Sequence, residues 1–215
     1  MTGESESYRE HWEPQTVSEA MMLIVTSDDD QFFEESGKGI AQPILALLGS
    51  DDDVVLDLGS GIGRIARHIA PHCGTLWLAD ISPAMLEMAR EQMAACDNLR
   101  FAQARATSVP DVADSSIDLV YSVLVLQHVE REDAFCMLRE IRRMLRPGGV
   151  AFLTFPNLLH DAYLESFVHY AETGEVANRA RARFYTPAEV DRLVRAAGFS
   201  GVELVDGRDI CVTCR

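Results

Sequence analysis

The sequence predicts an α/β protein whose core is a mostly parallel, doubly wound sheet. From about residue 37 to the C-terminus, short apolar runs alternate with amphipathic helical segments, the pattern of strands joined by helical crossovers. The stretch VVLDLGSGIGRIARHIA, residues 54–70, adds a glycine-rich turn between the first of these strands and the next helix. With 215 residues, 47% hydrophobic and 25% charged, the chain is long enough for one well-buried core with appendages.

Residues 1–36 stand apart from this alternation: they are polar and acidic, with one helical stretch around VSEAMMLIV and an aspartate run from Asp28 to Asp30. The core opens with a helix over GKGIAQPILALLG, the strand VVLDLG and the helix RIARHIA, whose Ile65 and Ile69 repeat at helical spacing. The strand TLWLAD follows, then the helix PAMLEMAREQMAA, introduced by Ser82 as cap and Pro83 at its first turn, then a strand near LRFAQA. SIDLVYSVLVL reads as a buried strand running into a turn, REDAFCMLREIRRMLR as a helix stopped by PGG, and VAFLTFP as the fifth strand. The helix PAEVDRLVRAAG, ended by Gly198, precedes two short strands, GVELVD and DICVTC.

Composition narrows the function. Asp and Glu outnumber Lys and Arg by 34 to 19, for a net charge of -15, which disfavours a large nucleic-acid footprint because phosphate backbones are held mainly by clustered cations. No N-terminal signal pattern is apparent and no apolar run approaches the roughly 20 residues of a membrane span, so a cytoplasmic protein is expected. Five scattered cysteines suit reduced thiols. Cys211 and Cys214 spell C-x-x-C, but in a strand residues three apart point to opposite faces, which argues against a shared metal or disulfide.

In such sheets ligands bind beyond the carboxyl ends of the strands, where the strand order reverses. Asp57 lies there in an apolar strand, costly to bury unless it accepts hydrogen bonds or meets a cationic ligand. Gly59, Gly61 and Gly63 allow a sharp turn and close ligand approach. The dinucleotide fingerprint G-x-G-x-x-G needs a glycine where this chain has Arg64, so the loop departs from a pyrophosphate cradle. Asp80, at the end of the second strand, is placed to accept from two ribose hydroxyls.

The ordered set VVLDLGSGIGRIA, WLADISPAMLEMAR, SSIDLVYSVLVLQHV, MLRPGGVAFLTFP and RFYTPAEVDRLVRAAGF resembles the class I S-adenosylmethionine-dependent methyltransferases over roughly residues 37–215. The resemblance implies a Rossmann-like seven-stranded sheet of order 3-2-1-4-5-7-6, with strand 7 antiparallel and helices on both faces. It implies S-adenosylmethionine as cofactor, with Asp57 near its methionine end and Gly59, Ser60 and Gly61 around its carboxylate and sugar. Asp80 matches the acid on the ribose and Ile81 flanks the adenine. The family often has an Asp for the adenine amine where this chain has Arg105, which offers no acceptor; the backbone N–H of Ala106 remains available, and Ser122 and Val123 match the stretch lining the cofactor after the fourth strand.

Methyl transfer from a sulfonium is an in-line displacement in which positioning supplies much of the catalysis, and an alcohol acceptor adds the need for a base or a metal. His128 in LQHV and His160 in FPNLLHD, both just past strand ends, are the candidate bases, although His128 could equally hold its turn. His160 with Asp161 is a weak metal pair, and a divalent ion such as Mg²⁺ stays open as a second cofactor. Residues 1–36 are expected to form a lid that recognises substrate, with residues 37–215 as the methyltransferase domain. Tyr8 and Trp12 would stack on a ring and Glu13 would bond hydroxyls, or the aromatics simply anchor the lid. DDDQFFEESGKGI resembles a pattern of a subgroup linked to sugar pathways. The favoured reading is O-methylation of a small molecule, a sugar or glycoconjugate hydroxyl first; N-methylation of a small amine or tRNA base, or a non-catalytic cofactor-binding module, are the alternatives. Expected partners are the small-molecule acceptor and at most a second copy of the chain as a homodimer, with no membrane and with nucleic acid disfavoured.

Overall fold

A computed structural model describes residues 8–174 and 181–215; the first seven residues of the N-terminal segment lie outside them. The helices are α1 (Val17–Val25), α2 (Asp30–Leu45), α3 (Ala66–Ile69), α4 (Pro83–Gln92), α5 (Arg131–Met144), α6 (Asp161–Thr173) and α7 (Pro187–Ala196). The strands are β1 (Val54–Leu58), β2 (Thr75–Asp80), β3 (Leu99–Gln103), β4 (Ile117–Ser122), β5 (Leu145–Pro156), β6 (Glu203–Asp206) and β7 (Asp209–Cys214). They form one seven-stranded sheet of order β3-β2-β1-β4-β5-β7-β6. β7 runs antiparallel to both β5 and β6, and the other neighbours are parallel. The order reverses between β1 and β4, so the crevice beyond their carboxyl ends is where a ligand site is expected.

The central strands are apolar because helices cover both faces: every residue of β4 is buried, as are Val55 to Leu58 of β1. On one face Met137 and Ile141 of α5 pack with Val190 and Val194 of α7; on the other Ile44 of α2 packs with Leu86 and Ala89 of α4. A third, smaller cluster of Ala20, Met21, Phe33, Ile62 and Met85 seats α1 on the glycine loop and α4. Among the described residues no helix is long and apolar enough to cross a membrane.

The helix starts obey local capping chemistry. Ser82 Oγ accepts from the Met85 N–H at 3.1 Å with Pro83 in the first turn, and Thr186 and Glu189 form a capping box on α7. Three elements differ from the sequence expectation. α2 begins at Asp30, capped by Asp29 Oδ1 accepting from the Phe32 N–H at 2.8 Å, so it runs unbroken across residues 36 and 37. Gly37 lies inside that helix because a Cβ there would sit 2.3 Å from the Arg64 carbonyl oxygen; it lets α2 approach the loop rather than starting the helix. The helix after the glycine loop is only Ala66–Ile69, followed by a 3₁₀ turn over Ala70–His72 that contains Pro71. α6 was not anticipated, since it carries no buried stripe: none of its residues is buried, and Leu164, Phe167 and Val168 are exposed. Cys211 and Cys214 fall on alternate faces of β7, partly and fully buried, and all five cysteines are free.

Candidate active site

β1 delivers Asp57 to the crevice and the glycine loop folds back over it. The Gly59 and Ser60 N–H groups both donate to the Ala79 carbonyl, at 2.7 and 3.2 Å, which ties the loop to β2. Gly59 has φ +80°, and a Cβ there would lie 2.2 Å from Val125 Cγ2, so both the backbone and the neighbouring wall require glycine. Asp80 is buried; its two oxygens accept from the Gly61 N–H at 2.8 Å and the Ser82 N–H at 2.9 Å. Each oxygen has a second lone pair, so two further hydroxyls can be accepted. Burial raises the Asp80 pKa, opposed by these backbone donors.

Asp57 is buried and accepts from the Tyr121 hydroxyl at 2.9 Å. Desolvation is the largest cause that pushes its pKa from 3.8 up to about 7, with the nearby Asp80 charge adding to the rise; Tyr121 and Arg64 pull the other way. Arg64, buried beside it, donates to Ser36 Oγ at 3.2 Å, while its Nε is buried with no hydrogen-bond partner. Burial lowers the Arg64 pKa and the Asp57 charge raises it. A buried carboxylate and a buried, partly unsatisfied guanidinium that interact with each other match a ligand group bearing an ammonium and a carboxylate.

One continuous cavity joins these groups. Asp57, Gly59, Ser60, Gly61, Arg64, Asp80, Ile81, Arg105 and Ala106 line it, together with Val123, Val125, Gln127 and His128. Tyr8, Trp12, Leu23 and Ile24 of the N-terminal segment belong to the same wall, and Val125 and Ile24 lie directly against Gly59 and Gly61. The His128 ring meets Trp12 edge-on at 4.9 Å, and its Nε2 is 3.0 Å from Gln127 Nε2. Tyr8, buried, donates its hydroxyl to Asp133 at 2.8 Å and accepts from the Glu130 N–H at 3.1 Å; burial pushes its pKa to about 12.

The remaining sequence candidates lie elsewhere. Ser122 is fully buried and its hydroxyl donates to the Leu58 carbonyl at 3.0 Å, joining β4 to β1 away from the cavity lining. Glu13 pairs with Arg9 at 3.3 Å and accepts from the Ser82 hydroxyl at 3.4 Å, beside the cavity rather than in its wall. His160 is exposed at the start of α6, where its Nδ1 accepts from the Ala162 N–H at 3.3 Å, and it does not line the cavity. Among the described residues, no three His, Cys, Asp or Glu side chains gather as a metal would need. Arg64 gained no role from sequence, although its place as a cation inside the glycine loop was a usable signal. Leu23, Ile24 and Gln127 carried none.

Comparison with known proteins agrees with this arrangement. Residues 55–149 match a family described as a methyltransferase domain. Thiol S-methyltransferase TMT1B of Homo sapiens is 31% identical over 147 residues, 66% of this chain and 59% of that protein. Malonyl-[acyl-carrier protein] O-methyltransferase of Methylococcus capsulatus is 30% identical over 170 residues, 72% of this chain and 60% of that protein. The chain thus spans about three fifths of the length of both relatives. The structure of DhpI in complex with SAH superposes with a TM-score of 0.68 at 20% identity, covering 100% of this chain and 98% of DhpI, a likeness of fold.

Proposed function

Because the chain belongs to the class I S-adenosylmethionine-dependent methyltransferases, we propose that it transfers a methyl group from S-adenosylmethionine to a hydroxyl of a small molecule, with His128 as general base. The carrying observation is one cavity whose lining holds a buried acid, a guanidinium with an unsatisfied nitrogen and an imidazole together. When bound, the cofactor supplies an electrophilic methyl on a sulfonium. Asp57 would hold its ammonium, Arg64 its carboxylate and Asp80 its ribose hydroxyls. Ile81 and the Ala106 N–H would flank the adenine.

The chain's own task is then positioning and proton removal. Leu23, Ile24, Val125 and Trp12 in the wall exclude water from the cavity, and His128 accepts the hydroxyl proton. Trp12 offers a ring face to a sugar or other cyclic acceptor, and the base role requires the Gln127 amide turned so that Oε1 accepts from His128 Nε2–H, leaving proton uptake to the Nδ1 side of the ring. The N-terminal segment works as the lid, and Tyr8 holds it to α5 through Asp133.

The test is a panel of hydroxylated metabolites, with amines and tRNA alongside, incubated with methyl-labelled cofactor with and without Mg²⁺. Label on a hydroxyl, with at least a hundredfold loss in His128→Gln, supports the reading. Label on amines or tRNA alone overturns it.

A further inference from the structure

The turn that carries His128 has no regular element of its own beyond a three-residue 3₁₀ turn, Leu126–His128, yet it must hold an imidazole at a fixed place in the cavity wall. What holds it comes from fifty residues away. The Arg183 N–H donates to the Gln127 carbonyl at 2.8 Å, and Arg183 Nη1 donates to the His128 carbonyl at 3.1 Å. Nη2 donates to Glu130 Oε1 at 2.5 Å. One residue therefore grips three of four consecutive positions, 127, 128 and 130, and its own side chain is 5% exposed. The next residue continues the contact, because Arg131 Nη2 donates to the Phe184 carbonyl at 2.7 Å.

Glu130 also receives the lid. Its N–H donates to the Tyr8 hydroxyl while its carboxylate takes the Arg183 guanidinium, so the segment that covers the acceptor and the connector ahead of α7 meet on one residue. On its far side the connector is anchored to the sheet: the Tyr185 N–H donates to the Pro156 carbonyl at 3.0 Å, and the Leu158 N–H donates to the Tyr185 carbonyl at 2.8 Å. The grip thus runs from the end of β5 through residues 183–185 to the His128 turn.

We infer that Arg183 is the positioning residue for His128, with Glu130 as the joint through which the lid and the His128 turn are set together. The inference rests on the reading of His128 as the base. A planar guanidinium suits the task because its fork addresses a carbonyl and a carboxylate at once; a lysine ammonium can restore one of these directions but not the fork.

Trp12 makes the test independent of the acceptor. Its ring touches His128, and only Trp77 shares its emission, so a Trp77→Phe background leaves Trp12 as the reporter. In that background, Trp12 emission is compared among wild type, His128→Gln, Arg183→Met, Arg183→Lys and Glu130→Ala, with affinity for S-adenosylhomocysteine measured on each. Arg183→Met is expected to carry the emission most of the way to that of His128→Gln, Arg183→Lys less than half of the way, and Glu130→Ala part of the way. S-adenosylhomocysteine affinity should stay within about twofold throughout. On any acceptor the labelled-cofactor panel yields, Arg183→Met should lower kcat at least tenfold, with Arg183→Lys recovering part of it.

The Glu130 side chain is about half exposed, so Glu130→Ala, which removes the acceptor for Arg183 Nη2, is expected to fold even if Arg183→Met does not, and wild-type emission in Glu130→Ala would then overturn the inference. Wild-type emission in Arg183→Met, or a loss of cofactor affinity matching the loss of kcat, would overturn it as well. If His128→Gln keeps full kcat while the emission changes occur as described, the grip stands and the assignment of the base falls.

Discussion

Replacing Asp57 with asparagine isolates the cost of burying a charge in the unliganded cavity. The folded protein holds the Asp57 proton up to about pH 7, whereas an unfolded chain releases it near 3.8. Between those values the folded state binds more protons, so this group's contribution to stability is fully present below the lower value and is lost as pH rises through about 7. At about 1.4 kcal/mol for each tenfold change in proton affinity, the loss amounts to about 4 kcal/mol at pH 8. Asparagine keeps an acceptor for the Tyr121 hydroxyl, so Asp57→Asn should be more stable than wild type at pH 8 by up to about 4 kcal/mol and nearly equal at pH 4. Urea denaturation at both pH values, without cofactor, reads the difference directly. The same variant should lose cofactor affinity, and wild-type binding at pH 6 should release close to one proton, detectable by calorimetry in buffers of different ionisation enthalpy. A wild type whose advantage or deficit against Asp57→Asn does not change between pH 4 and pH 8 would refute the reasoning.

Gly59→Ala should lower stability by roughly 2 kcal/mol or more, seen as a fall in Tm, because it combines a left-handed φ with a 2.2 Å clash against Val125. Arg64→Met should weaken S-adenosylmethionine binding at least tenfold in calorimetry yet leave 5′-methylthioadenosine, which lacks the carboxylate, within about twofold; equal losses for both would remove Arg64 from that role. Tyr8→Phe should cost about 1 kcal/mol in denaturation. It should also raise the acceptor KM more than it lowers kcat, since the lid loses its tie to Asp133 and Glu130.

Much of this was legible in the sequence because it is written in local chemistry. Strands β1 and β4 announce their double burial by apolar runs that Asp57 and Asp118 interrupt, and the loop from Gly59 to Gly63, with Asp57 before it and Asp80 after it, marks the ligand end of the sheet. Ser82 marks a helix start that the capping bond realises. What escaped is tertiary in origin. Gly37 looks like a helix boundary in sequence, and only the approach of α2 to the Arg64 carbonyl explains it in mid-helix. Ser122 ends β4 in the way a ligand-lining residue does, but its hydroxyl is taken by the Leu58 carbonyl. His128 and His160 sit at equivalent places past strand ends, and it is packing that turns one against Trp12 and leaves the other capping α6. Arg183 appears in sequence as one more arginine before a helix; its grip on residues 127–130 exists only once the connector lies beside them.

The most direct test of the site is a calorimetric titration of S-adenosylmethionine at pH 8 into wild type and Asp80→Asn. Asp80 is the group whose two oxygens are already oriented by Gly61 and Ser82. Wild type should bind one cofactor per chain, and Asp80→Asn should bind roughly 30-fold more weakly, the loss of about 2 kcal/mol expected when charge-assisted hydrogen bonds to the ribose are removed. No binding by a folded wild type, or equal binding by the two proteins, would contradict the placement of the cofactor in this cavity.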